Sequence, residues 1–278
     1  MVNFNGTLVE KTANSLSENR GFLFGDAVFE TLKIVDNRVL FLEDHYFRLM
    51  SSMRILRMEI PMTFTMEFLE EQILELVQAN AFEDSARVRL TVFRNSGGFY
   101  LPETNDVSYL IQSTTLDSKE YVLNTNRYEV DLFKDFYITK QLLSSIKSTN
   151  KAVQITGSIF AKENDLQNCI LLNDSKNAIE TLNGNLFMLK DGKLITPPVS
   201  EGCLNGIMRK QVLTIAKTMD VEVVEEIISP FDLQKADELF VTNVITGVQP
   251  ITKYRKKDFT ATFAASLIDQ LNQNHILV

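Results

Sequence analysis

A chain of 278 residues with 45% hydrophobic content can fill one large core or two ordinary ones, since domains usually run roughly 50–250 residues. With 36 acidic side chains against 28 basic ones the formal charge is −8, which argues against a nucleic-acid binder because phosphate contacts need a basic face. Cys169 and Cys203 are too few for a disulfide framework or a zinc site, no apolar run reaches the ~20 residues of a membrane span, and Met1–Asn5 lacks an export pattern, so a cytoplasmic protein without metal, membrane or nucleic acid is expected.

Within Val2–Leu8 the Asn5-Gly6 pair favours a two-residue hairpin. A strand follows from Val28 to Ile34, and the stretch before it, Asn19 to Thr31, holds two glycines and three phenylalanines. Such a loop either lines a pocket or tucks under a core. Asp36-Asn37-Arg38 turns the chain, and Leu42, His45, Leu49, Met53 and Leu56 then recur at helical spacing. Arg48 flanks this stripe, so its stem can be buried while the guanidinium reaches a partner; His45 sits on the apolar face, where a packed histidine is expected. Pro61 closes the segment, and Met66 to Ala79 reads as a second helix. Arg87 to Arg94 alternates with period two, the pattern of a half-buried strand, and runs into Asn95-Ser96-Gly97-Gly98. Its three arginines are expected on one face, able to bind a carboxylate, with Arg94 the first candidate. Val107 to Thr114 is another strand. Residues 117–130, which are polar and lack periodicity at the start, are the expected connection between a small N-terminal subdomain, 1–116, and a larger C-terminal one, 131–278.

The stretch Leu142-Leu143-Ser144-Ser145-Ile146-Lys147-Ser148-Thr149-Asn150 sets one lysine among small hydroxylated residues. Desolvation there disfavours the charged form, so Lys147 can supply a neutral amine for a Schiff base. A helix over about 151–164 and a short strand over 168–172 come next, then Ala178-Ile179-Glu180 and a hairpin turning at Asp191-Gly192. The helix expected over 206–218, with Asn205 as its cap, has no Asp or Glu in its first turn. Its free N–H groups near Ile207 and Met208 are therefore open to an anion such as a phosphate. Strands over 221–227, 238–242 and 247–252 surround a helix anchored at Pro230, and a helix over 260–272 closes the chain.

Lys147, Ile179-Glu180-Thr181, Asn205-Gly206-Ile207-Met208-Arg209 and Thr242-Asn243-Val244, with His45-Tyr46-Phe47-Arg48-Leu49 upstream, together resemble the fold-type IV pyridoxal 5′-phosphate enzymes, or class IV aminotransferases. That resemblance implies an α+β fold of two subdomains like that of D-amino-acid aminotransferase, and a homodimer acting on a small amino substrate. Position by position, it implies that Lys147 carries the cofactor and shuttles a proton, and that Glu180 bonds the pyridine nitrogen. Arg48, Ile207, Met208, Asn243 and Val244 would grip the phosphate. Phe24, Phe29, Glu30 and Arg94 fall on the substrate side. Within the family, Lys147-x-x-Asn150-Lys151 and Ser96-Gly97-Gly98 look most like the 4-amino-4-deoxychorismate lyase branch, which releases pyruvate and p-aminobenzoate. Glu30 and Phe99 depart from that branch, and the alternative is a transaminase for branched-chain or D-amino acids with 2-oxoglutarate.

Overall fold

The computed structural model describes residues 1–10, 17–82 and 84–277. Contacts gather the chain into two units, Met1–Lys119 with Ile146–Asn150, and Glu120–Ser145 with Lys151–Val278.

The first unit is a six-stranded antiparallel sheet backed by two helices. Its strands are β1 (Val2–Phe4), β2 (Thr7–Val9), β3 (Ala27–Val35), β4 (Arg38–Val39), β5 (Ser85–Arg94) and β6 (Val107–Thr115), in the order β2-β1-β6-β5-β3-β4. Both tight hairpins follow from turn chemistry. Asn5-Gly6 and Asp36-Asn37 all adopt positive φ, the conformation that matches the twist of a two-residue hairpin. A short helix, α1 (Arg20–Phe24), occupies part of the expected loop; Asn19 caps it and Gly25, at φ 65°, ends it. The amphipathic stripes form α2 (Leu42–Ile55) and α3 (Met66–Ala79). Met53, Ile73 and Leu76 are fully buried against Val28, Leu32, Ile34, Val88 and Ile111 of the sheet, each such side chain contributing about 1.5–3 kcal/mol.

The second unit holds a ten-stranded sheet. Its elements are β7 (Glu129–Ile138), α4 (Ala152–Glu163), β8 (Asn168–Asn173), β9 (Ala178–Thr181), β10 (Asn185–Lys190), β11 (Lys193–Thr196), α5 (Ile207–Thr218), β12 (Glu222–Glu225), β13 (Glu238–Asn243), β14 (Gly247–Ile251), β15 (Lys253–Tyr254), β16 (Lys257–Asp258) and α6 (Thr262–His275). Strand β10 pairs with β9, β11 and β13, so the loops after β9 and β13 both start from strands that flank β10. Tyr121, in the stretch between β6 and β7, is buried in this unit, where its N–H donates to Asn272 Oδ1 of α6 (2.8 Å).

Three features differ from the spacing argument. Strand β7 is unforeseen because Val130, Leu132 and Phe133 are all buried, which breaks period two, and its far half, from Lys134 to Tyr137, is exposed. In place of a Pro230-anchored helix there is one 3-10 turn, Leu233–Lys235. The segment 146–150 packs with the first unit rather than the C-terminal body. The start of β3 is left open beyond the two residues of β4, and Phe29 N–H donates to Lys147 O (2.8 Å) while Thr149 N–H donates to Ala27 O (3.0 Å).

Candidate active site

The backbone bonds from β3 hold Lys147 beside Phe29, with Nζ 4.6 Å from the ring centroid. The Arg89 guanidinium carbon lies 3.7 Å from that same centroid. Register explains the meeting: Phe29 pairs across with Thr91 and Thr31 with Arg89, so these side chains share one face of β3 and β5. One aromatic ring thus serves two cations, each contact contributing about 0.5–2 kcal/mol. Behind Lys147, Asn150 Nδ2 donates to Gly25 O (3.2 Å), and a Cβ at position 25 would stand 2.3 Å from Asn150 Oδ1. Glycine also suits the positive φ of 65° at this position.

Glu30 alternates to the opposite face of β3, where α2 lies. Arg48 grips it in a fork, Nε donating to Oε1 (2.8 Å) and Nη2 to Oε2 (2.5 Å), and His45 Nδ1 approaches Oε2 at 2.7 Å. Burial alone would raise the Glu30 pKa, but the Arg48 charge and the bonds from Arg48 and His45 outweigh it and hold the carboxyl at about 2. His45 is pushed below its ordinary value, first by burial and then by the Arg48 and Lys147 charges, against the pull of Glu30. Histidine 45 is therefore part of an ionic cluster, not merely a packed ring, and its Nε2 is buried without a hydrogen-bond partner.

Arg94 has a different environment. Being five residues from Arg89 it projects from the other face, so the three arginines do not line one surface. Its Nε donates to Asp26 Oδ2 (2.9 Å), Nη2 to Leu56 O (2.6 Å) and Nη1 to Asn105 Oδ1 (2.5 Å) and Arg57 O (3.2 Å). These contacts make it a buried tie between loops. Asp26 also accepts from Arg20 Nε (3.0 Å), and Arg20 Nη1 donates to the carbonyls of Gly97, Gly98 and Phe99. Phe24 lies under the Arg20 guanidinium and against Tyr100.

In the second unit Glu180 is buried on β9, and its Oε2 accepts from Leu204 N–H (2.9 Å). Asn185 Nδ2 donates to Leu204 O (2.7 Å), so the peptides flanking Leu204 are pinned on both sides just ahead of α5. The N-cap is Gly206, not Asn205; it has φ −75° and ψ 139°, makes no side-chain cap bond, and no acid occupies the first turn. A Cβ on residue 206 would fall 1.9 Å from Asn185 Oδ1. Ile207 and Met208 are buried by their side chains while their amides belong to the uncapped first turn. Asn243 Oδ1 accepts from Ile245 N–H and Thr246 N–H (3.0 Å each), forming the turn between β13 and β14, and Val244 O accepts from Tyr121 OH (3.1 Å). Thr242 pairs with Asn185 across β13 and β10, and its Oγ1 is buried without a partner.

Within the first unit, Lys147, Phe29 and Arg89 form one cluster and Glu30, His45 and Arg48 a second. Glu180, Asn185 and the start of α5 form a third in the second unit. Asn185 is an addition that spacing did not single out, and Thr242 enters only as part of its motif; the one further signal of each is a polar residue at a buried place on an apolar strand. Among the described residues no group of side chains could hold a metal ion, and no helix is long and apolar enough to cross a membrane.

The profile of the amino-transferase class IV family matches residues 27–254. A Methanocaldococcus jannaschii protein assigned as a branched-chain-amino-acid aminotransferase is 31% identical over 257 residues, covering 89% of this chain and 85% of that protein. The D-alanine aminotransferase of Bacillus licheniformis is 27% identical, covering 90% and 86%. Among solved structures, a Legionella pneumophila protein assigned as a 4-amino-4-deoxychorismate lyase superposes with a TM-score of 0.85 at 21% identity, over 95% of this chain and 97% of that one. The chain belongs to the class IV aminotransferases, the fold-type IV enzymes that depend on pyridoxal 5′-phosphate.

Proposed function

We propose that the protein is a transaminase that passes an amino group from a branched-chain or D-amino acid to 2-oxoglutarate. The observation that carries this reading is the Phe29 ring with the Lys147 amine and the Arg89 guanidinium both upon it. A reacting amine and a carboxylate-binding fork on one ring suit a keto acid with a second carboxylate. Relatives that match across about nine-tenths of the chain are named as aminotransferases, which supports the same choice.

The residues fit the cofactor. A helix start capped by a glycine that admits no Cβ, with no acid in its first turn, suits a phosphate. Unpartnered buried atoms at His45 Nε2 and Thr242 Oγ1 cost about 1–3 kcal/mol each when left unmade, as expected where a ligand completes the bonding. Arg48, fixed by Glu30, would grip that phosphate with the amides of Ile207 and Met208 and the turn at Asn243 and Val244. Glu180, oriented by Leu204, would accept from the protonated ring nitrogen and keep it cationic. When bound, pyridoxal 5′-phosphate supplies an electron sink for the pair left on the substrate Cα. Lys147 would hold the cofactor covalently, and its Nζ, once displaced by the substrate amine, would take the Cα proton. Phe29 walls off water, and Arg89 orients the second carboxylate.

A homodimer is part of the proposal. Phe22, Phe99, Tyr100 and Leu101 of the first unit are exposed, from 66% at Phe22 to 93% at Tyr100, an apolar group of the kind that a partner surface covers. A second reading, the 4-amino-4-deoxychorismate lyase, is favoured by Lys151 directly after Asn150, at the cap of α4. One experiment separates the two. The enzyme is incubated with L- and D-amino acids and 2-oxoglutarate, and separately with chorismate, glutamine and an aminodeoxychorismate synthase. Glutamate formed in the first mixture with no p-aminobenzoate in the second is expected; p-aminobenzoate in the second with no glutamate formed in the first establishes the lyase.

A further inference from the structure

We propose that His45 takes up a proton when an anion docks at Arg48, so that phosphate binding and protonation of Nε2 are one coupled event. The inference rests on Arg48 being the phosphate grip. Glu30 Oε2 accepts from both Arg48 Nη2 and His45 Nδ1, and an ionised carboxylate can only accept, so Nδ1 carries the hydrogen. Nε2 is then either a desolvated lone pair or an N–H with nothing to bond, because it is buried and unpartnered. Neither state is complete without a ligand.

Charge decides between them. The charged groups acting on His45 are Glu30 from β3, Arg48 from its own helix α2 and Lys147 from the segment 146–150. Two cations face one anion, and a third positive charge on the ring would be added to that excess in a dry site. The neutral ring with its proton on Nδ1 is therefore the state without ligand. A doubly charged anion beside Arg48 reverses the local balance and favours the imidazolium. Protonation lets Nε2 donate, which removes the unmade bond as well.

The chain holds two histidines, His45 and His275, so ring nitrogen signals from the full chain, free of cofactor, can be assigned with a His275→Asn variant. Sulfate is the probe, because it does not titrate near neutrality. As sulfate saturates, the His45 ring nitrogens are expected to move from the neutral pattern with hydrogen on Nδ1 to the imidazolium pattern. Affinity for sulfate should rise as pH falls, by up to about tenfold per pH unit for one proton taken up. In His45→Asn the amide can keep the bond to Glu30 but cannot gain a proton, so sulfate should bind with a flat pH profile. Sulfate binding that is lost in Arg48→Gln but leaves the wild-type His45 signals unmoved overturns the proton coupling and spares the phosphate grip. Binding that is indifferent to Arg48 overturns the grip and the coupling together. The wild-type ring signals need no variant, so a poorly folding substitution does not block the test.

Discussion

Replacing Glu30 by glutamine tests the link between the buried ion pair and the fold. Glutamine keeps the shape but leaves the Arg48 guanidinium against a neutral amide. The carboxyl lies at about 2 rather than the ordinary 4.5, and at about 1.4 kcal/mol per pH unit its ionised form stabilises the folded chain by about 3 kcal/mol at neutrality. Losing one partner of a buried pair costs a similar amount, about 3–5 kcal/mol. Because the folded value is depressed, this contribution is fully present above 4.5 and fades as pH falls toward 2. Urea unfolding of the wild type and Glu30→Gln, followed by far-ultraviolet circular dichroism across the acid range, reads both effects. The variant should be less stable by about 3 kcal/mol at neutral pH, with the gap closing through the acid limb. A loss under about 1 kcal/mol, typical of exposed ion pairs, with an unchanged acid slope would refute the reasoning.

Other positions give distinct readouts. Gly206→Ala should weaken cofactor binding and lower stability by about 1–3 kcal/mol, the usual range for overpacking, because its Cβ would fall on Asn185 Oδ1; cofactor titration and thermal unfolding check both. Arg89→Gln should raise KM for 2-oxoglutarate about 10- to 100-fold, the equivalent of one charge-assisted bond, while lowering stability only by the Phe29 contact, about 0.5–2 kcal/mol. Arg94→Gln should do the reverse, destabilising the fold by about 3 kcal/mol through its buried ties with little selective effect on that KM. Below pH about 6.5 the wild type should also lose stability through His45, whose depressed value means that the unfolded chain protonates first; His45→Asn should lack that component in urea unfolding between pH 7 and 5.

Much of this fold is legible in one sequence because long elements carry their own period. The stripes from Leu42 and Met66, the alternation from Arg87 and the turn pairs Asn5-Gly6 and Asp191-Gly192 all fall where the elements are found. What escapes has no local cause. Strand β7 is half exposed, and α1 is one turn under a capping asparagine. The Glu30–Arg48 pair spans 18 residues and exists only because α2 lies on one face of β3. Likewise, segment 146–150 belongs with β3 because a sheet edge was left unpaired, which no local pattern records. Parity, by contrast, was readable: an odd separation places Arg94 opposite Arg87 and Arg89 on a strand, and the contacts of Arg94 agree.

The central claim is that Lys147 is the amine that carries the cofactor. Loading the enzyme with pyridoxal 5′-phosphate, reducing with borohydride and sequencing the labelled peptide by mass spectrometry tests it directly. The phosphopyridoxyl mass is expected on Lys147 in the wild type, and no borohydride-stable label at the active site is expected in a Lys147→Ala variant that still folds. A stoichiometric label on another lysine in the wild type, or a stoichiometric borohydride-stable label that survives in Lys147→Ala, would contradict it.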